Sequence, residues 1–396
     1  MVVRTLQPVF VELAGRHPVV TVTGPRQSGK TTLCKAAFPD KPYVSLEPPD
    51  EREFARTDAR AFLARFPNGA IIDEIQRAPD LPSYLQPMVD ADSTPGQFIL
   101  TGSQNFGLRQ SLSQTLAGRT AIVELLPMAL DEVRRFPHAP ADLNATLWTG
   151  GYPRIFDRSL PPQEWLADYV ATYVERDVRQ ILNVGDLLTF QTFLRMCAAR
   201  VGQLLNLSSL GADCGITHAT ARKWLAVLEA SYITFRLPPM HANLGKRLIK
   251  TPKLYFYDSG LLCYLLGIRD ASQLAVHPLR GSIFEGWVIS EIIKHHRHHG
   301  VTPRMFFYRD RGGSEVDVLI DRGADRLAVE IKAGMTPSPD VFVTPDRVGR
   351  ALASLEARPT RIAVVYAGSE SQTRSAGELV SWSDTDRFPW ATAPRS

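Results

Sequence analysis

The chain has 396 residues, 44% of them hydrophobic and 22% charged, and a formal net charge of +4. These proportions are ordinary for a water-exposed globular protein of two to four domains, and no apolar run approaches the ~18 residues of a membrane span. Four scattered cysteines without a Cys-x-x-Cys pair argue for free thiols over a disulfide framework or a zinc site, and a start carrying Gln7, Glu12 and Arg16 departs from the apolar core of a leader, so a cytoplasmic protein with no membrane partner is expected.

From the start to about residue 130, short β-rich runs ("PVVTVTG", "PYVSL", "GAIIDE", "GQFILTG", "TAIVELLP") alternate with helical segments. That alternation predicts βα units around a mainly parallel, buried sheet, an α/β fold. "TVTGPRQSGKTTL" lies between a strand and a helix and fits Gly-x-x-x-x-Gly-Lys-Thr at Gly24, Gly29, Lys30 and Thr31. Small residues let successive main-chain N–H groups point into one concavity, so Gly24, Pro25, Arg26, Gln27, Ser28, Gly29, Lys30, Thr31 and Thr32 form the expected phosphate cradle. Lys30 would set its ammonium on the β- and γ-phosphates, and the Thr31 hydroxyl would ligate Mg²⁺. "AIIDEIQ" supplies a buried strand whose tip offers Asp73 to the metal, with Glu74 placed to orient and deprotonate the attacking water. "FILTGSQN" ends a further strand in Ser103, Gln104 and Asn105, candidates for the γ-phosphate or that water. Arg119 and Arg154 are the arginines considered for transition-state charge, in cis or across a subunit interface.

The expected P-loop nucleotide-binding domain is residues 1–135, followed by a Pro-rich boundary and a helical lid over 136–190. There "YVERDVRQ" holds Glu175, Arg176, Asp177 and Arg179, read as intrahelical ion pairs. A winged-helix-like domain is expected over 191–270. Residues 195–253 carry nine Lys/Arg against Asp213 and Glu229, a candidate polyanion face. Two helices joined at Gly215 are predicted, the first capped by Ser208 or Ser209 and the second by Thr217. Ala221, Trp224, Leu225 and Leu228 make the second helix's apolar stripe, leaving His218, Thr220, Arg222 and Lys223 where a recognition helix meets DNA. Lys246, Arg247, Lys250 and Lys253 fall at or between the expected wing strands.

Residues 271–396 are the expected C-terminal domain. In "SEVDVLID" and "RLAVEIK" apolar and charged residues alternate, and a hairpin through "DRGAD" would let Asp317, Glu330 and Lys332 converge. Glu285 lies on the helical face of Val288, Ile289 and Ile292, where an inward carboxylate needs a partner or a metal. Glu285, Asp317 and Glu330 are therefore the candidate ligands of Mg²⁺ or Mn²⁺, Lys332 the group that polarises water, and Glu291 and Arg309 their supporting neighbours. "HHRHHG" is read as the end of a surface helix, and the tail after Gly368 as contributing one late strand.

The combination "GPRQSGKTTL", "IIDEIQRAPDL", "FILTGSQN", "LAGR", "GGYPR", "YVERDV", "YFYDSGL" and "EVDVLI…EIKAG" resembles a prokaryotic family of AAA-type ATPases whose C-terminal half is a separate domain of unknown function. The resemblance implies an additional-strand P-loop sheet, a helical and winged-helix middle and a restriction-endonuclease-like C-terminal fold. It also implies ATP rather than GTP. Two functions remain open on these residues: an ATPase that acts on nucleic acid and cuts it, or an ATP-dependent switch, a homo-oligomer included, whose nuclease-like domain only binds.

Overall fold

The computed structural model describes residues 2–103, 115–174, 187–240, 251–310, 312–354 and 356–391. They divide into two compact units: Met1–Met128 with Ala230–Tyr232 and Arg297–Gly300, and Ala129–Glu229 with Ile233–His296 and Val301–Ser396. The expected divisions after residues 190 and 270 both fall inside the second unit.

Five strands build the sheet of the first unit: β1 (Val19–Thr23), β2 (Tyr43–Ser45), β3 (Ile71–Asp73), β4 (Phe98–Gly102) and β5 (Thr120–Glu124). Their order is β2-β3-β4-β1-β5, every pairing parallel, so β4 is inserted between the loop-bearing β1 and the acid-bearing β3. A parallel sheet is covered on both faces, so its successive side chains are mostly apolar while pointing opposite ways. Val19, Ile72, Phe98 and Leu100 enter one core with Phe62 and Leu85, whereas Val20, Val22, Ile71 and Ile99 enter the other with Phe10 and Leu33. Each such buried side chain stabilises the layer by about 1.5–3 kcal/mol, which holds the strand tips in place for the site.

In the second unit, the helices Leu207–Asp213 and His218–Ala230 flank a turn where Gly215 takes φ +68°. The first helix is capped by Asn206, whose side chain accepts from Ser208 N and Ser209 N, rather than by either serine. Asn precedes both serines and so intercepts their amides first. Thr217 Oγ1 accepts from Thr220 N at 3.1 Å, capping the second helix as expected. Trp224 packs edge-on against Phe190 and Phe193, which leaves Arg222 and Lys223 exposed on the opposite face. An antiparallel ribbon follows, β6 (Thr234–Leu237) with β7 (Lys253–Phe256). Lys246, Arg247 and Lys250 lie outside the described residues.

Next come the helix Arg280–His298, β8 (Met305–Arg309), β9 (Glu315–Asp321), β10 (Arg326–Lys332), the helix Val343–Ala353, β11 (Thr360–Tyr366), β12 (Gln372–Arg374) and β13 (Gly377–Ser381). The sheet order is β12-β13-β11-β10-β9-β8. It is mixed: β9 runs antiparallel to its neighbours β8 and β10, while β10, β11 and β13 run parallel. The β9–β10 hairpin forms where the alternation placed it, with Asp321 opposite Arg326. The tail contributes two strands rather than the one expected, because Ser375 and Ala376 turn β12 back onto β13. His296 and His298 are buried rather than on a solvated helix end, and His296 Nδ1 lies 2.7 Å from the Ile292 carbonyl oxygen. Among the described residues no helix is long and apolar enough to cross a membrane, and all four cysteines are buried free thiols.

Candidate nucleotide site and C-terminal carboxylate cluster

β1 ends at Thr23, and the chain turns at Gly24 with φ +148°. A β-carbon there would lie 2.2 Å from the Leu125 carbonyl oxygen, so only glycine leaves the sheet along this path. Gln27 (φ +62°) and Gly29 (φ +92°) complete the loop, and the helix Lys30–Ala37 starts from it. Amides in the first turn of a helix have no acceptor within it, which suits them to an anionic phosphate. Arg4 braces the loop from outside, donating to the Ser28 carbonyl at 2.6 Å and to that of Leu126 at 2.9 Å. The Ser28 hydroxyl itself is buried with no hydrogen-bond partner.

Lys30 folds back over this loop, its Nζ donating to the carbonyls of Gly24 (3.1 Å) and Pro25 (2.8 Å). Burial lowers its pKa to about 8, against the opposing pull of Glu74 and Asp73. Two main-chain carbonyls are weak company for a buried ammonium, and a phosphate oxygen with a full charge is better.

Asp73, at the tip of β3, accepts from three hydroxyls: Thr31 at 2.9 Å, Tyr43 at 2.8 Å and Thr101. Burial and Asp73 together hold the Tyr43 phenol in its protonated form. The Thr31 hydroxyl and the Asp73 carboxylate are hard oxygen donors already in contact, a set that fits Mg²⁺ beside phosphate oxygens. Glu74 follows with φ +60°, a backbone region costing roughly 1–3 kcal/mol outside glycine. Its carboxylate receives Gln76 Nε2 at 2.5 Å, and the same nitrogen lies 3.1 Å from Ser103 Oγ at the end of β4. Gln76 thus ties the acid of β3 to the tip of the inserted strand. No sequence pattern singles out Tyr43, Thr101 and Gln76, although "IIDEIQ" and "ILTGS" contain two of them. Gln104 and Asn105 lie outside the described residues.

Arg119 is elsewhere. It precedes β5, and its carbonyl accepts from Val19 N at the start of β1. The loop leaves the other end of that strand, roughly 16 Å away at ~3.3 Å per residue. Its guanidinium pairs with Asp90 of the helix Leu81–Ala91, 2.9 Å from Nη2. The in-cis expectation for Arg119 is therefore corrected: the parallel sheet puts residues before a strand opposite those after it. Arg154 is exposed on the helix Pro153–Asp157 of the second unit. Glu175, Arg176, Asp177 and Arg179 lie outside the described residues.

In the second unit the hairpin brings Asp317 and Glu330 side by side, with Glu285 near both. Asp317 Oδ2 accepts from Ile331 N at 2.8 Å. Burial pushes its carboxyl well above the usual range, and the nearby Glu285 and Glu330 push it further, with Lys253 opposing. Glu330 is also raised by burial, although Lys332 lies 2.6 Å from its Oε1. Lys253 and Tyr255 come from β7. Lys253 Nζ is 3.1 Å from Glu285 and 2.6 Å from Glu315, and the Tyr255 hydroxyl donates to Glu285 at 2.5 Å. Both were missed as site residues, yet "KLYF" places them on one face of a strand. Arg309 joins from the rim, 3.4 Å from Glu315. Glu291 is not a neighbour of the cluster: it caps the helix Leu130–Val133 through Leu130 N at 2.7 Å and pairs with Lys294.

These contacts bear on the expected Mg²⁺ or Mn²⁺ at Glu285, Asp317 and Glu330. Among the described residues no three Asp, Glu, His or Cys side chains are gathered so as to hold one metal ion. Protein cations hold the carboxylates instead, so the cluster as folded does not fit the metal.

A parallel sheet with a strand inserted between its loop and its acid, a glycine-bounded loop, and a Thr–Asp contact at the strand tips together define a P-loop nucleoside triphosphatase. Residues 16–134 match the family model of an AAA domain, and residues 140–272 and 280–384 match two domains of unknown function (DUF8612 and DUF4143). The uncharacterized proteins Mb2031c of Mycobacterium bovis and Rv2008c of Mycobacterium tuberculosis are each 31% identical over 360 residues, 89% of this chain and 77% of theirs. The chain belongs to the family of these mycobacterial proteins, with an AAA-type P-loop ATPase domain at its N-terminal end. Among solved structures, the Walker-type ATPase PABY2304 of Pyrococcus abyssi aligns with a TM-score of 0.43 and 15% identity, over 66% of this chain and 94% of that one. RuvB of Thermotoga maritima aligns with a TM-score of 0.32 and 20% identity, over 60% and 89%. Neither of these two likenesses extends to function. The AAA domain itself supports ATP binding and hydrolysis by this chain.

Proposed function

We propose that ATP is bound on the loop Gly24–Thr32 and hydrolysed there, and that the cycle drives or switches action on nucleic acid, DNA in preference to RNA. The observation that carries this reading is the contact of Thr31 with Asp73 beside the buried Lys30. Main-chain amides and Lys30 hold the β- and γ-phosphates. Thr31 and Asp73 would hold Mg²⁺, which would supply positive charge against that of the phosphates. Glu74 orients the attacking water and takes its proton, while Gln76 and Ser103 fix where that carboxylate points. Arg119 serves only the nucleotide of a neighbouring copy, so a finger role for it entails a homo-oligomer. His218, Arg222 and Lys223, exposed on the helix His218–Ala230, are the groups that would meet the phosphate backbone.

For the C-terminal domain, the order helix, three antiparallel strands, helix, parallel strand supports a restriction-endonuclease-like fold. The ion pairs of Lys253 and Lys332 favour a domain that binds or docks without cutting. Cutting is the second reading, favoured by Glu330 Oε2, which is buried without a hydrogen-bond partner.

The experiment is ATP turnover and cleavage of labelled single- and double-stranded substrates, with Mg²⁺ or Mn²⁺, with and without ATP. Turnover undiminished in Lys30→Ala overturns the nucleotide site. Cutting by the wild type that Asp317→Ala and Lys332→Ala abolish establishes the second reading. DNA affinity indifferent to salt and to Arg222 and Lys223 substitution removes the groove contact.

A further inference from the structure

We propose that Lys253 is the resident cation of the C-terminal carboxylate cluster, standing where a divalent ion would stand, so that the cluster takes up Mg²⁺ or Mn²⁺ only when that ammonium is removed. The inference deepens, and rests on, the reading of this domain as one that does not cut.

Lys253 opens β7, and only 4% of it is exposed. A lysine so placed persists as a cation only if its company offsets the lost water. Its Nζ reaches Glu285 on the helix Arg280–His298 and Glu315 on β9, and stands 5.5 Å from the centre of the Phe307 ring. The ammonium is thus held by two carboxylates, one of which, Glu285, was expected to hold a metal.

Glu330 supplies an independent observation. Only 8% of it is exposed; one carboxylate oxygen meets Lys332, and the other is buried with no hydrogen-bond partner. A buried acceptor left open beside Asp317 has the chemistry of an unused ligand position. The cluster therefore has the donors of a hard-cation site and lacks only the freedom to gather them. Two cations cannot share this pocket: an ion entering between Glu285 and Asp317 meets the ammonium that already draws on Glu285. Any displacement of β7 from β9 would vacate the place.

The test counts Mn²⁺ bound to the nucleotide-free full chain by electron paramagnetic resonance. It compares wild type, Lys253→Met, Lys253→Arg and Lys253→Met combined with Asp317→Asn. Ions held at the phosphate loop are common to all four and cancel. The expected result is one further Mn²⁺ in Lys253→Met, lost again in the double variant and absent from Lys253→Arg. Equal counts in wild type and folded Lys253→Met overturn the proposal, as does a further ion in Lys253→Arg. If circular dichroism shows Lys253→Met unfolded, wild type against Asp317→Asn decides: equal counts support the proposal, and a site lost with Asp317 overturns it. Mn²⁺ counting reads the cluster and the cleavage assay reads cutting, so the two readings can fail separately.

Discussion

The phosphate loop and the C-terminal cluster both concentrate acidic and basic side chains at strand ends, but they satisfy them by different means. Asp73 is held by hydroxyls, and Lys30 by main-chain carbonyls. Neutral dipoles can turn to a charged ligand without leaving a bare charge behind, so such a site admits ATP and Mg²⁺ at modest cost. Glu285 and Glu330 are held by Lys253 and Lys332. There a ligand first has to break an ion pair, and at Glu285 the abandoned Lys253 stays buried. One region is poised, the other already neutralised.

The comparison breaks most visibly at Glu74. Replacing it by Gln leaves the dipolar cradle intact, so nucleotide binding is retained while turnover falls by about 10²–10⁴-fold, the usual worth of a positioned base. Nucleotide binding and phosphate release, measured on the same preparation, check this; equal turnover removes Glu74 from the chemistry.

At the other region the charges themselves are tested. Lys253→Met strips a counter-ion from buried carboxylates and should lower stability by about 2–4 kcal/mol. Adding Asp317→Asn should recover part of that loss, about 1 kcal/mol, because it removes one of the repelling acids. The sign with pH follows from Asp317, whose folded pKa is raised: the native state keeps that proton longer than the unfolded chain, so the penalty grows as pH rises through that interval. Thermal unfolding of both variants across pH reads it, and an additive double variant would show the two groups to be uncoupled.

A smaller effect sharpens the poised side. Lys30 titrates at about 8 in the free protein. Bound phosphate restores its proton, so ATP binding above that pH takes up a proton and weakens by up to about tenfold per unit. Stability runs the other way, rising from pH 8 towards the unfolded value of 10.5, since the folded state sheds the proton first. Calorimetry in buffers of different ionisation enthalpy measures the uptake, and Lys30→Met should abolish it. The smallest effect belongs to Arg119→Ala, which removes an exposed ion pair with Asp90 and should leave both stability and single-copy turnover unchanged. A large loss confined to concentrations where copies associate would place Arg119 at a neighbour's nucleotide.

Much of the first site was legible because it is written locally. Gly24 to Thr32 is one loop, and Asp73 and Glu74 sit together at a strand tip, so spacing along the chain is nearly spacing in the fold. The β9–β10 hairpin was legible for the same reason: alternation and a short turn set its register. Arg119 misled because an arginine near a strand can stand at either end of a sheet. Asn206 misled because three side chains able to cap lie within four residues, and the first takes the amides. Lys253 was seen only as one more wing-strand cation, since nothing local says that a strand far upstream ends against β9.

By itself the amino-acid sequence determined the period-two faces of the strands, the glycines a phosphate loop requires, and the residue types able to hold ATP and magnesium. Those depend on backbone sterics and on neighbours a few residues apart. Tertiary structure alone decided that Tyr43 and Thr101 meet Asp73, that Gln76 bridges Glu74 to Ser103, and that Lys253 rather than solvent faces Glu285 and Glu315. The reason is electrostatic: a buried charge takes whichever partner packing brings within reach, and packing joins segments that sequence distance keeps apart.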